Sequence, residues 1–191
     1  MIFSIVSCSL SAKSRSRSIA RLAERILSER GHGVSFVDLM EVSLPPFDND
    51  TIFAHPNFAH VHGIIDRSDG VIIASPIYNW GLSAAAKNLI EATGATGEND
   101  QRAAWFDKVV SFICTAGLPH SYMAYGSLAL SLMLDFKCVI NPYAVYASNR
   151  DFDEDGAPGA GLNARLEKAL TVKIALSEAL RHRPYRSDWE I

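Results

Sequence analysis

The chain has 191 residues and a formal net charge of −3, with 48% hydrophobic and 20% charged residues. These values are typical of one globular domain with a substantial core, and they exclude a disordered chain. The small net charge gives no reason to expect nucleic acid or an acidic membrane surface as a partner. We therefore expect a single domain over residues 1–191.

Cysteine usage points to a reducing compartment. Cys8, Cys114 and Cys138 are far apart and form no C-x-x-C pair, so no disulfide framework is expected. The chain begins with a strand pattern rather than a charged leader, and no apolar run reaches membrane-spanning length. We therefore expect a cytoplasmic protein that is neither exported nor inserted into a membrane.

Apolar runs alternate with helical patterns along the whole chain. The first strand covers Ile2–Val6, and a helix with apolar residues from Ile19 to Leu27 ends at Gly31 and Gly33. The later predicted elements are the strand Val34–Leu39, the helix Asn57–Asp66, the strand Gly70–Ala74, a helix up to Gly94, the strand Val109–Cys114, the helix Tyr122–Phe136, the strand Val139–Ala147 and the helix Leu162–Leu180.

This alternation predicts an α/β fold with a doubly wound, five-stranded parallel sheet and helices on both faces. Uninterrupted apolar runs such as Gly70–Ala74 are typical of strands buried on both faces. Ligands of such sheets bind outside the carboxyl ends of the strands, where the winding direction reverses. Three strand ends carry distinctive loops, namely Ser7–Ser18, Ser75–Gly81 and Thr115–Gly117.

The first of these loops has the features of a phosphate site. A strand enters a loop with six serines and then a helix N-terminus, where unpaired N–H groups and the helix dipole favour an anion. Serine hydroxyls donate further hydrogen bonds, and Lys13, Arg15 and Arg17 add positive charge. A serine N-cap in an ordinary turn is the alternative. The number of serines favours the phosphate site.

Several other kinds of site are disfavoured. The chain has no G-x-G-x-x-G, no G-x-x-x-x-G-K-[ST] and no G-x-S-x-G motif. A nucleophile at Cys8 or Cys114 is conceivable, but buried structural cysteine is more common. His55, His60 and His62 do not have the spacing of a familiar ligand set, so no metal site is expected. Tyr78 and Trp80 could equally stack on a ring or pack in the protein.

Two motifs carry a resemblance to a known family. The pattern Ser9-x-Ser11-x-x-Ser14-Arg15-Ser16, with SPIYNWGLSAAAKNLIE at residues 75–91, resembles the NADPH-dependent FMN reductase family, whose fold is flavodoxin-like. The resemblance covers nearly the whole chain in element order. It departs from the family pattern at Cys8, where glycine is common, and at Ser11, where arginine is common.

The resemblance implies a set of FMN-binding residues. Those at the first loop would hold the phosphate, and those at the other two loops would line the isoalloxazine ring, largely through backbone groups. They are Ser9, Ser11, Ser14, Arg15 and Ser16 for the phosphate, Pro76, Ile77, Tyr78 and Asn79 for the ring, and Thr115, Ala116 and Gly117 for its border.

The implied function is an NAD(P)H-dependent FMN oxidoreductase. NADPH or NADH would deliver a hydride to bound FMN, and the electrons would pass to a free flavin, a quinone or another small acceptor. No catalytic side chain is expected, because the flavin carries the reaction. Two alternatives stay open: a flavodoxin-type electron carrier without turnover, and a binder of another phosphorylated ligand. The length and small charge weigh against the carrier.

The predicted helix Tyr122–Phe136 bears on assembly, because it is apolar all round. Its excess apolar surface could be covered by a second subunit, as in related flavin enzymes, which are dimers or tetramers. A helix fully covered within one chain is the alternative. We expect a homodimer or homotetramer.

Overall fold

The computed structural model describes residues 1–95 and 102–187. Its strands are β1 (Ile2–Ser7), β2 (Gly33–Asp38), β3 (Gly70–Tyr78), β4 (Gly81–Leu82), β5 (Val109–Thr115), β6 (Val139–Ile140) and β7 (Val145–Ala147). Its α-helices are α1 (Arg15–Glu29), α2 (Pro56–Asp66), α3 (Ala84–Gly94), α4 (Gly126–Phe136) and α5 (Ala160–Arg181). Short 3₁₀ turns cover Thr51–Ala54 and Asn149–Asp151.

The sheet has the strand order β2-β1-β3-β5-β6, and all of these pairings are parallel. The chain leaves β1 in one direction to form β2 and then crosses back to β3. The winding therefore reverses at β1 and β3, as in other doubly wound folds. The predicted parallel α/β architecture is confirmed.

The number of strands differs from the prediction, because the sheet has seven strands and not five. The predicted final strand is divided into β6 and β7, which both pair with β5. Pro142 lies in the interruption and has no N–H to donate to a ladder. The side chain of Asn141 makes hydrogen bonds at this interruption, where its Nδ2 donates to the Ser111 hydroxyl at 3.1 Å and to the Ala169 carbonyl at 2.9 Å.

Strand β3 also runs further than predicted, and this creates the extra strand β4. Pro76 does not end β3 but stays in register opposite Thr115 of β5. A proline keeps an extended φ and a carbonyl acceptor, so it can remain in a strand at a position where no N–H is needed. Beyond it, Ile77 and Tyr78 pair with the antiparallel β4.

Helix α4 is shorter than predicted and begins at Gly126 instead of Tyr122. The preceding residues form turns, in which the amides of Ala124 and Gly126 donate to the carbonyls of Ser121 and Met123. Apolar residues in these turns continue the helical pattern of the sequence without being helical. Periodicity alone therefore placed the start of the helix too early.

Two apolar cores cover the two faces of the sheet. Phe3, Ile5 and Ile72 pack with α1 and α5 on one face. Val6, Val71 and Ile73 pack with α2, α3 and α4 on the other. Alternate strand residues thus serve opposite cores, which is why the strands are apolar without interruption. In the described ranges, no helix is both long and apolar enough to cross a bilayer.

One cation lies inside the core that α5 forms with the sheet. Lys173 has no exposed surface, and its Nζ donates to the carbonyls of Val71 at 3.0 Å and Val109 at 2.9 Å. A Cβ at Gly70 would lie 2.8 Å from this Nζ, so the glycine makes room for it. Burial lowers the pKa of Lys173 to about 7, because the charged form loses its hydration. A neutral amine still has two N–H groups for the two carbonyls.

This burial predicts a pH dependence of stability. The unfolded chain binds a proton at Lys173 up to its ordinary pKa, whereas the folded chain releases it near pH 7, so stability rises with pH above 7. One such group contributes up to about 1.4 kcal/mol per pH unit. We expect Lys173→Met to remove this contribution, measured by urea unfolding between about pH 7 and 8.5, below the ordinary pKa of a thiol. Equal slopes in the two proteins would contradict it.

Candidate functional site

The end of β3 and the loops after β1, β5 and β7 meet at the carboxyl edge of the sheet and enclose a pocket of about 210 Å³. Ten of the twelve residues predicted for the site line this pocket: Ser9, Ser11, Ser14, Arg15, Pro76, Ile77, Tyr78, Thr115, Ala116 and Gly117. Lys13 and Asn149 line it as well. Ser16 and Asn79 lie outside the lining. The pocket stands where the winding direction reverses, between β1 and β3.

The first loop offers a row of backbone donors. In the part of the chain that the structure describes, the amides of residues 12–16 make no hydrogen bond. They precede or begin α1, so the helix dipole adds a partial positive charge to them. Ser14 is the N-cap, and its hydroxyl accepts from the Arg17 amide at 3.1 Å. The buried Ser16 hydroxyl lies 3.0 Å from that of Ser14, so it stands behind the pocket.

The basic residues of this loop have different orientations. Lys13 and Arg15 line the pocket. Arg17 was expected to add positive charge there, but its guanidinium is turned inward and forms an ion pair with the buried Asp38. The positive charge at the pocket therefore comes from Lys13, Arg15 and the helix dipole.

The loop after β7 reaches the site and was not predicted to do so. The Arg15 guanidinium donates to the side-chain oxygen of Asn149 and lies 4.8 Å from the centre of the Phe152 ring. Asn149 lies two residues after the end of β7, which ends at the same edge as the other three strands. The position of Asn149 after a strand could have indicated that it belongs to the site. The predicted strand Val139–Ala147, however, did not include the interruption at Pro142.

The second loop is a tight hairpin with an unusual backbone. Tyr78–Gly81 joins β3 to β4, and Asn79 and Trp80 have φ values of 49° and 63°. Two consecutive left-handed residues define a type I′ turn, in which asparagine is common and tryptophan is strained. The Tyr78 and Trp80 side chains are 57% and 70% exposed, which excludes packing in the core. Tyr78 lines the pocket, so its ring is available to a ligand there, whereas Trp80 lies outside the lining.

Buried hydroxyls join the first two loops. The Ser83 hydroxyl donates to the Cys8 carbonyl at 2.8 Å and lies 3.1 Å from the Ser75 hydroxyl. Ser83 is also the N-cap of α3. These hydrogen bonds connect the residue after β1 to Ser75 of β3 and to the start of α3. No sequence motif predicted these bonds.

The cysteines are unsuited to nucleophilic chemistry. Cys8, Cys114 and Cys138 are all buried. Burial raises the pKa of Cys114 to about 12 and the pKa of Cys8 further still, so both thiols stay protonated at neutral pH. Among residues 1–95 and 102–187, no group of three or more His, Cys, Asp or Glu side chains could hold a metal ion.

A larger and more apolar groove of about 510 Å³ lies beside the loop after β2 and the start of α3. Asn88 of α3 lines this groove and connects α3 to the loop after β2. Its side chain accepts a hydrogen bond from the Phe47 amide at 2.7 Å and donates one to the Pro45 carbonyl at 2.9 Å. The groove contains Leu10 and otherwise none of the first loop. It lacks the row of backbone donors that an anion needs.

The fold is that of a flavodoxin-like α/β protein, and the smaller pocket is a candidate anion site at the reversal of the winding. A model of the NADPH-dependent FMN reductase family matches residues 1–151, and the chain belongs to this family. The predicted family, the oxidoreductase class and the cofactor FMN with NAD(P)H as electron donor are thereby confirmed. No curated protein sequence matches the chain.

Solved structures with the same fold include several flavin enzymes. An oxidoreductase from Corynebacterium diphtheriae is 22% identical, with a TM-score of 0.73, and the match covers 93% of this chain and 97% of that one. The NAD(P)H:(acceptor) oxidoreductase FerB from Paracoccus denitrificans is 19% identical, with a TM-score of 0.71 and coverages of 94% and 97%. The apo form of the NADH:FMN oxidoreductase EMOB is 15% identical, with a TM-score of 0.74 and coverages of 96% and 91%.

Proposed function

We propose that the pocket at the carboxyl edge binds FMN, with the phosphate on the first loop and the ring across the ends of β3 and β5. The observation that carries this proposal is the row of unpaired amides at residues 12–16, beside Lys13 and Arg15. A phosphate monoester has several oxygens that each accept hydrogen bonds, and this loop offers donors on one side without any carboxylate lining the pocket.

The remaining predicted residues suit the ring. Pro76 and Ile77 lie near the end of β3, Thr115 is the last residue of β5, and all three line the pocket. Bound FMN supplies the chemistry, accepting a hydride from NADPH or NADH and releasing electrons to a second acceptor. The protein binds and orients the ring, and no acid, base or nucleophile is needed beside it.

The surroundings of the pocket support a small-molecule acceptor. Tyr78 lines the pocket and is more than half exposed, as are Trp80 and Leu118, which are near lining residues in the chain, so we propose that a planar acceptor reaches the site from solvent on this side. We propose a free flavin, a quinone or another small aromatic molecule as the acceptor.

We further propose that the chain acts as one domain over residues 1–191 and works in the cytoplasm.

The first experiment tests binding and turnover together. Apoprotein titrated with FMN should take up one flavin per chain, and NADPH added without oxygen should bleach it. With an acceptor in excess, the protein should oxidise many equivalents of NADPH, and the same assay with NADH measures the preference. Absence of stoichiometric uptake would refute the FMN site, and calorimetry with inorganic phosphate would then identify another phospho-ligand. Flavin uptake without turnover would identify an electron carrier.

The second experiment tests the phosphate end of the site. Aspartate is as good an N-cap as serine, so Ser14→Asp should preserve α1 while placing a carboxylate at the anion pocket. We expect FMN affinity to fall about tenfold or more, because like charges then face each other. The measurement is quenching of FMN fluorescence during titration.

Ser18→Asp is the matched control for this experiment. Ser18 is exposed one turn further along α1, where its hydroxyl donates to the Ser14 carbonyl at 3.1 Å, and it does not line the pocket. Its FMN affinity should stay close to that of the unaltered protein. Unchanged affinity in Ser14→Asp would show that the phosphate lies elsewhere.

Helix α4 supports a homodimer or homotetramer. It exposes Leu130, Met133 and Leu134 by 51%, 46% and 59%, while Leu132 and Phe136 face the core. Three neighbouring apolar side chains on one helix face make a surface that a second copy can cover. We propose that this face is a subunit interface.

Light scattering at two protein concentrations tests this interface. We expect the unaltered protein to have at least twice the mass of one chain. Leu134→Lys should lower the mass, because a lysine ammonium cannot be buried at an apolar contact without cost. The thermal unfolding of the variant in dilute solution shows whether the chain itself is still folded. A monomeric mass for the unaltered protein would refute the interface.

A further inference from the structure

The guanidinium group of Arg17 is turned inward and makes several hydrogen bonds to the first loop. Its Nη2 donates to the Ser9 carbonyl at 2.7 Å, and its Nη1 donates to the Ser11 carbonyl at 2.6 Å and approaches the Ala12 carbonyl at 3.5 Å. Arg17 belongs to α1, the helix that the loop enters. One side chain thus holds three carbonyls of the loop that precedes it.

Asp38, at the end of β2, fixes the position of this guanidinium. Its carboxylate accepts from Nη2 at 3.1 Å and also pairs with Nε. The two side chains are only 2% and 14% exposed for Asp38 and Arg17, so the ion pair is buried. The Met40 amide donates to the same carboxylate at 3.1 Å. The carboxylate is therefore held by its own strand end and is not free to follow Arg17.

Peptide geometry connects these contacts to the row of amides. In a planar trans peptide the C=O and the following N–H point in opposite directions. When Arg17 holds the carbonyls of Ser11 and Ala12 on the inside, the amides of Ala12 and Lys13 must face away from it. These are the first two amides of the unpaired row at residues 12–16.

We propose that Arg17 and Asp38 are positioning residues for the phosphate of the cofactor. The buried pair holds the first loop in the one conformation that presents its amides as anion donors, and Arg17 does not itself touch the phosphate. The proposal rests on the FMN site described above, and it adds a role for a carboxylate that would otherwise repel an anion.

Comparing FMN with riboflavin isolates this effect, because riboflavin has the same ring without the phosphate. The affinity ratio between the two flavins measures the phosphate contribution, and a general loss of folding does not change it selectively. In Arg17→Lys the charge remains, but one ammonium cannot span two carbonyls and both carboxylate oxygens. We expect the FMN:riboflavin ratio to fall about tenfold, while riboflavin affinity is retained.

Asp38→Asn gives the sharper test, because the two explanations predict opposite signs. If Arg17 bound the phosphate directly, removal of the neighbouring negative charge would strengthen FMN binding. If the pair positions the loop, the same change weakens the hold on Arg17, and FMN binding falls while riboflavin binding does not. An unchanged or increased ratio in Asp38→Asn overturns the proposal.

Helix α1 provides matched controls. Arg21 and Glu24 form an exposed ion pair at 3.0 Å, away from the loop. Arg21→Lys and Glu24→Gln repeat the two substitutions there, and both should leave the flavin ratio unchanged. If the unaltered protein binds neither flavin, the proposed function fails. If it prefers FMN and the Arg17 and Asp38 variants keep that preference, only the positioning role fails.

Discussion

Parallel strands all end at one edge of their sheet, and this constraint determines where the chemistry of this protein is located. The end of β3 and the loops after β1, β5 and β7 come from distant parts of the sequence, yet they enclose one pocket. The central strands β1, β3 and β5 are buried on both faces over most of their length, so their side chains pack in the two cores. Polar groups that can bind a ligand therefore lie at the strand ends, where backbone N–H and C=O groups no longer pair with a neighbouring strand.

The anion site depends on backbone geometry more than on formal charge. The chain as a whole is slightly negative, and one of the three basic residues of the first loop is neutralised by a buried carboxylate. Five consecutive amides at a helix N-terminus provide fixed dipoles that need no reorganisation when an anion arrives. Arg17 stabilises the loop through its carbonyls, which leaves the opposite side of each peptide available.

The hairpin after β3 has a different role from the first loop. Asn79 and Trp80 have left-handed backbone in the turn that joins β3 to β4, and Tyr78 directly before them lines the pocket. Strain at such a position is commonly associated with function. Hydroxyls of Ser75 and Ser83 join this hairpin to the residue after β1, so the two loops that we propose for the phosphate and for the ring are connected by hydrogen bonds.

The opposite edge of the sheet shows why part of the structure was hidden from sequence reasoning. Lys173 lies in a helical pattern, where a lysine predicts an exposed face, and its burial depends on two carbonyls and on the missing side chain of Gly70. Two prolines show the same dependence, because Pro76 lies beyond the predicted end of the strand Gly70–Ala74 and Pro142 lies inside the predicted strand Val139–Ala147. Pairing with β5 shows that β3 continues through Pro76 and that the last strand is interrupted at Pro142.

The sequence by itself determined the alternation of strands and helices, the parallel sheet, the family and most of the pocket lining, because hydrophobic period and loop composition are local properties of the chain. The tertiary structure alone decided which way each polar side chain points. Arg15 and Arg17 are two residues apart on α1, yet one faces the pocket beside Asn149 and the other is buried against Asp38. That difference arises from contacts with residues more than 20 positions away, which no local pattern contains.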